Sequence, residues 1–191
     1  MVIFIAGLSG SGKTVAASAS GVATVLTLDS FLFADRPDLP KWLGRTDWDT
    51  IRSFDLDAAV SAVVSLAAGA SVDVPVYDHH RNSAAGSTTG TAGGPVVAEG
   101  IHAPAVYERV LREGVEAVLL LLDVAGQKVF IARVRRDVNQ HHMNPIWATV
   151  RSARLLFRHR PYRRGAVALG AELVDRAAAP RRIADLAARP Q

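Results

Sequence analysis

Gly7-Leu8-Ser9-Gly10-Ser11-Gly12-Lys13-Thr14 fits G-x-x-x-x-G-K-[ST] throughout, the pattern of a loop that cradles phosphates. Its flanks suit that reading. Val2-Ile3-Phe4-Ile5-Ala6 is a short, apolar, β-branched run that reads as a buried strand, and Thr14 to Ala19 reads as a helix start. Glycine permits backbone conformations that turn successive N–H groups toward phosphate oxygens, and the helix N-terminus adds its positive dipole end. The nucleotide-binding set is therefore expected to be Gly7, Ser9, Gly10, Ser11, Gly12, Lys13 and Thr14. Lys13 reaches the β- and γ-phosphates in such a loop, and the Thr14 hydroxyl ligates Mg²⁺. ATP and Mg²⁺ are the expected cofactors.

Working outward, strands alternate with helices. Thr24 to Leu28 reads as a second strand ending at Asp29, and Ser53 to Asp57 as a helix start with Val60, Val63, Val64 and Leu66 at helical spacing. Ser71 to Tyr77 and Pro95 to Ala98 read as strands, the latter leading into Glu99. Pro104 to Arg112 reads as a helix, and Glu116 to Asp123 carries the most apolar strand. Helices are expected over Gln127 to Val138 and Pro145 to Arg160, a last strand near Leu173-Val174, and a short helix after Pro180. Residues 82–94, rich in Gly, Ser and Thr, read as a loop. Apolar strands alternating with helices imply an α/β fold, a mainly parallel sheet covered on both faces. One domain over residues 1–191 is expected, with a candidate lid at about 127–160.

Composition narrows the options. With 191 residues, 49% of them hydrophobic, the chain can bury a core without staples, and it has no cysteine for disulfides or thiolate metal sites. No window approaches the roughly 18 uncharged apolar residues of a membrane span. No basic segment precedes the apolar start, which argues against a signal peptide. A soluble, cytoplasmic protein is expected. Three of the 22 basic residues are lysines (Lys13, Lys41, Lys128), and thirteen arginines lie from Arg133 onward against four acidic residues. That third of the chain is about +9 and the remainder about −5. Only Trp147, Phe157 and Tyr162 interleave with those arginines, so the pattern speaks against nucleic acid and for a small anionic ligand such as ATP. His79-His80 and His141-His142 do not suggest metal, because adjacent side chains diverge on a helix or strand.

Ligands of an open α/β sheet bind beyond the carboxyl ends of the strands. Asp29 and Glu99 stand at such ends, as does Asp123, which also suits a helix N-cap. One carboxylate beside the phosphate loop can hold Mg²⁺ and another can take a proton from an attacking hydroxyl.

These residues carry a resemblance. The loop Gly7–Thr14, Leu28-Asp29-Ser30-Phe31, Asp47-Trp48-Asp49, Ser53-Phe54-Asp55, Pro75-Val76-Tyr77-Asp78, Glu99-Gly100-Ile101 and Arg133-Val134-Arg135-Arg136-Asp137 follow in the order found in the uridine kinase family. That family is grouped with phosphoribulokinase, pantothenate kinase and nicotinamide riboside kinase. The resemblance spans Val2 to about Asp137 and implies a kinase that phosphorylates a primary hydroxyl, with uridine or cytidine first among acceptors. It implies that Asp29 accepts the hydroxyl proton and Asp49 binds the ribose hydroxyls. Tyr77 would meet the base, with His79 or His80 and Arg81 reading its edge. Glu99 would stand near Mg²⁺, and Arg133 and Arg136 would approach the transferring phosphoryl group. Other acceptors, such as a vitamin riboside, pantothenate or a sugar phosphate, remain open, as does a non-kinase nucleotide-binding regulator. The partner is a small-molecule acceptor; a homo-oligomer remains open. The chain departs from the pattern with Leu32 for a tyrosine, a shorter Tyr77-to-Arg81 spacing, and Asn139 to Pro145 in place of further lid arginines. Arg151, Arg154 and Arg158 are the candidates to compensate.

Overall fold

The computed structural model describes residues 1–78, 83–91, 93–139 and 142–189. Strand β1 (Val2–Ala6) runs into the glycine loop and α1 (Lys13–Ala19); β2 (Thr24–Thr27) ends in a short 3-10 turn bearing Asp29. Two short strands, β3 (Lys41–Trp42) and β4 (Arg45–Thr46), precede α2 (Leu56–Ala67), β5 (Val72–Asp78), β6 (Ser83–Gly90) and β7 (Val96–Gly100). Then follow α3 (Ala103–Arg112), β8 (Ala117–Leu122), α4 (Gly126–Asn139), α5 (Pro145–Ala168), β9 (Glu172–Val174) and α6 (Ala179–Ala187).

The central sheet has the order β2-β7-β1-β8-β9, and each of its pairings is parallel. The expected α/β architecture is present. In β1 the two-residue period of a strand divides the side chains between faces. Val2, Phe4 and Ala6 join a core with Val60, Val63 and Leu66 of α2 and Val106 and Val110 of α3. Ile3 and Ile5 join the opposite core with Ala16 and Ala17 of α1 and Ile183 and Leu186 of α6. Both faces are covered, which is why the strand centres carry no charge. A third cluster, Leu8 with Val129 and Leu155, fastens α4 and α5 to the glycine loop. Among the described residues, no helix is long and apolar enough to cross a membrane.

Residues 83–90 correct the loop expectation. They form β6, which pairs antiparallel with β5 as a ribbon outside the central sheet. Small residues gave no alternation to read, yet a backbone ladder needs none: Thr89 and Asp73, register partners, add a side-chain hydrogen bond of 2.9 Å. The strand expected over Ser71 to Tyr77 exists but does not join the parallel sheet. Helix α5 also extends past the expected end at Arg160 and contains Pro161. Its later half is anchored to the sheet by the His159 Nε2 contact with the Val124 carbonyl (3.0 Å) and by Arg163, which donates to both oxygens of Asp123. Those tertiary bonds offset the one helical bond that proline removes.

Candidate active site

Two glycines shape the loop. Gly10 and Gly12 have φ of +92° and +97°, conformations that L side chains rarely adopt. A Cβ on Gly10 would lie 3.2 Å from the backbone N of Arg133, and one on Gly12 2.8 Å from Nε of Arg176. Helix α4 and the segment after β9 therefore close directly on the loop. The Gly7 amide donates to Tyr162 Oη (3.1 Å), and that hydroxyl donates to the Ile101 carbonyl (2.9 Å), so one buried phenol ties α5 to the loop and to the end of β7. Burial holds that phenol protonated, well above its ordinary range.

A cavity of about 1250 Å³ opens above the carboxyl ends of the strands. Its loop end presents Ser9, Gly10, Gly12, Lys13 and Thr14 together with Asp29 and Glu99. Gly7 and Ser11 lie behind the loop and do not line the cavity: Ser11 is 1% exposed and its Oγ has no hydrogen-bond partner among the described residues. Lys13 is buried, and among the described residues its Nζ donates only to the Leu8 carbonyl, at 3.3 Å. Burial lowers its pKa, with Glu99 and Asp29 opposing the shift. Thr14 Oγ1 donates to Glu99 Oε1 at 2.9 Å. Burial raises the Glu99 pKa against the pull of Lys13, and Asp29 raises it further.

The residues present suit a magnesium nucleotide. Left-handed glycines leave backbone N–H groups free of side chains, and a buried ammonium with one neutral acceptor has capacity for phosphate oxygens. A hydroxyl and a carboxylate 2.9 Å apart form a sparse donor set, as Mg²⁺ prefers, since it keeps waters and phosphate oxygens among its ligands. Among the described residues, no three His, Asp or Glu side chains gather to hold a metal by themselves.

The same cavity is also lined by Asp47, Trp48, Asp49, Tyr77 and Leu32. Trp48 and Tyr77 meet edge to face, their rings 6.1 Å apart. His80 and Arg81, expected to read a base, lie outside the described residues. Asp49 is not free: Arg133 donates to both of its oxygens, at 3.4 and 3.1 Å. Burial alone would raise the Asp49 pKa, but Arg133, Arg151 and Arg158 hold it below the usual carboxylate value.

The two arginines singled out on α4 divide. Arg136 lines the cavity. Arg133 is fully buried between Asp49 and Asp137 and lines no part of it. Arg135 is exposed, as a helical period places it. Asp137, which sequence reading did not single out as a site residue, is wholly buried beneath Arg136 (2.8 Å), Arg133 (3.5 Å) and Arg151 (3.9 Å). Asp47 accepts from Arg154 at 2.8 Å. Arg176 and Tyr162 had no local sequence signal, because long-range packing alone brings them to the loop.

Comparison with known proteins agrees with the fold. The family model described as "Phosphoribulokinase / Uridine kinase family" matches residues 2–154. A uridine kinase of Deinococcus deserti is 33% identical over 154 residues, covering 75% of this chain and 72% of that protein. A uridine kinase of Chloroflexus aurantiacus is 32% identical over 145 residues, covering 72% and 68%. Two solved structures share the fold. One, from a Silicibacter species and provisionally assigned as a fructose transport system kinase, has a TM-score of 0.58 at 20% identity, covering 92% of this chain and 87% of the other. The other, from Bacillus stearothermophilus and provisionally assigned as a uridine kinase, has a TM-score of 0.53 at 17% identity, covering 92% and 88%. The sequence match, the parallel sheet and the phosphate loop agree: the chain belongs to the phosphoribulokinase/uridine kinase family.

Proposed function

We propose that this family member is an ATP-dependent kinase that phosphorylates the primary hydroxyl of a ribosyl compound, with pyrimidine ribonucleosides the first candidates and a 5′-monophosphate the product. The observation that carries the reading is one cavity lined by two chemically different sets of residues. A phosphate loop with Lys13, Thr14 and Glu99 forms one set, and Asp49 with the Trp48–Tyr77 aromatic pair the other. Asp29 lines the same cavity and is close enough to perturb Lys13 and Glu99. The curated relatives named uridine kinase support the nucleoside as acceptor.

In this reading Lys13 and the loop amides hold the phosphates, while Thr14 and Glu99 hold Mg²⁺. Bound magnesium supplies charge neutralisation on the β- and γ-phosphate oxygens. Asp29 takes the proton of the acceptor hydroxyl as its oxygen attacks the γ-phosphorus. The bond to the bridging oxygen breaks and ADP departs. Arg136 faces the charge that develops during transfer, where a preorganised guanidinium is most effective. Arg133 orients Asp49 toward the ribose hydroxyls, each Asp49 oxygen keeping a further lone pair after accepting from Arg133. The chain acts as one domain over residues 1–191, with about 127–160 as its lid.

The test is an acceptor panel. A carboxylate held for two hydroxyls is left underpaired when one is missing. Uridine and cytidine should therefore exceed their 2′-deoxy analogues in kcat/KM by about 1–3 kcal/mol, or roughly 5- to 150-fold. ATP consumption that no hydroxylated acceptor stimulates would remove the kinase assignment.

A further inference from the structure

Asp137 is a wholly buried carboxylate that the reaction described above does not use. It stands in the last turn of α4 with three guanidiniums around it. Sealing a carboxylate away from water is costly, so the groups it holds by hydrogen bonds show what its charge serves. The obvious partner is Arg133, one turn earlier on the same helix and equally buried. Yet Arg133 Nε stands 3.5 Å from Asp137 Oδ2, and among the described residues neither atom makes a hydrogen bond. The Nη1 and Nη2 atoms of Arg133 go instead to Asp49. Arg151 Nη1 is farther still, at 3.9 Å. The hydrogen bonds that this carboxylate accepts among the described residues both come from Arg136: Nε at 3.1 Å and Nη2 at 2.8 Å, each onto Oδ1.

A helix does not favour that pairing. Consecutive residues do not face each other on a helix, so a 2.8 Å contact between them requires the Arg136 side chain to bend round toward Asp137. Arg136 is also the partner that reaches the reaction space: its side chain is 34% exposed and lines the cavity. A long side chain at a cavity wall otherwise samples many rotamers, and ordering it costs entropy. Here the fold orders it in advance. The Nε–Nη2 edge is committed to Asp137, while Nη1 makes no hydrogen bond among the described residues.

We propose that Asp137 is a positioning residue for phosphoryl transfer: its Oδ1 grips the Nε–Nη2 edge of Arg136, so that Nη1 is aimed at the transferring phosphoryl group before that group arrives. This rests on the kinase reading above and deepens it, by naming what orients the arginine that meets the developing charge. Preorganised donors stabilise such charge better than mobile ones, because no reorientation is left for the transition state. The other oxygen of the same carboxylate faces Arg133, which holds Asp49. One buried group thus sets both the arginine of the phosphoryl group and the arginine behind the hydroxyl-binding carboxylate.

The experiment is a double-mutant cycle on kcat, at saturating MgATP and with whichever of uridine and cytidine the wild type uses better. Asp137→Asn keeps the shape of the side chain and removes its charge. It should lower kcat by about tenfold or more, the scale of a hydrogen bond to a charged group, with the nucleoside KM and the affinity for MgADP little changed. In an Arg136→Ala background it should cost almost nothing further, because the group it aims is gone. An undiminished loss in that background overturns the proposal and assigns Asp137 to Arg133 and the fold. So does an unchanged kcat, with or without a raised KM. Arg136→Lys leaves Asp137 in place, so the idea stays testable if Asp137→Asn fails to fold. Lysine is a point charge without a second edge to present, and kcat should fall nearly as far as in Arg136→Ala; a kcat equal to wild type overturns the proposal. Phosphorylation of neither nucleoside by wild type overturns instead the nucleoside kinase reading on which the proposal rests.

Discussion

Among the described residues, Lys13 rests its buried ammonium on a single neutral acceptor 3.3 Å away, an arrangement with little purpose until phosphate oxygens arrive. Replacing it with alanine should lower turnover by more than about 10²-fold, the scale of one lost charge stabiliser in transfer. The fold should persist, because the lysine fills no apolar core, and the thermal shift produced by MgATP should shrink. Full turnover in folded Lys13→Ala protein would show the loop to be misread. Asp29 lies at the end of β2 with the cavity before it. If it takes the acceptor proton, Asp29→Asn should cost roughly 10²-fold or more in kcat, with ATP affinity little changed. Weakened ATP binding at unchanged kcat would make Asp29 a metal or structural group instead.

At the scale of the element, α4 sorts three arginines by helical phase. Arg133 is sealed between Asp49 and Asp137, Arg136 reaches the cavity, and Arg135 meets solvent. Arg133→Ala leaves two buried carboxylates underpaired and should destabilise the fold by about 3–5 kcal/mol. Arg136→Ala should instead cut kcat strongly with a smaller change in melting temperature, and Arg135→Ala should be close to neutral in both. Chemical denaturation beside steady-state kinetics separates these outcomes; equal effects at all three positions would mean that only bulk charge matters. The 3.6-residue period made Arg133 and Arg136 share a face on paper, but not which carboxylates they would meet. Those partners lie 84 residues away in sequence for Asp49, and on the same helix for Asp137. The ribbon β5–β6 was half legible: β5 has apolar, β-branched residues, whereas the Gly, Ser and Thr of β6 gave no pattern until a partner strand was beside them.

Across the whole molecule, buried titratable groups make stability depend on pH. His102 is 6% exposed and its ring stacks on Phe54, 4.7 Å between centroids. Burial holds its pKa below the ordinary 6.5, although Asp29, Asp49 and a bond to the Trp48 backbone favour the charged form; Arg158 opposes it. The folded state therefore binds fewer protons than the unfolded state below about pH 6.5. This contribution is present above that value and is lost as pH falls through it, by at most about 1.4 kcal/mol per pH unit. The melting temperature of wild type should fall more steeply between pH 7 and 5 than that of His102→Gln. Parallel profiles would show that His102 is not the group responsible.

The phosphate loop, the parallel sheet and the carboxylates at its strand ends are local in origin: a strand, a tight glycine turn and a helix start are written in consecutive residues, and the period of apolar positions follows from backbone geometry. That is why Gly7 to Thr14, Asp29 and Glu99 were legible, and most of them meet in one cavity; Gly7, Leu8 and Ser11 of the loop fall behind it. Tertiary structure decided the rest. It tied Arg133 to Asp49, set three arginines over Asp137, brought Tyr162 of α5 under the loop, laid Arg176 on Gly12, and set Trp42 against Trp147. Each of these joins side chains from separate elements whose partners are chosen by packing and by the cost of burying a charge alone. Spacing along the chain carries no record of that choice.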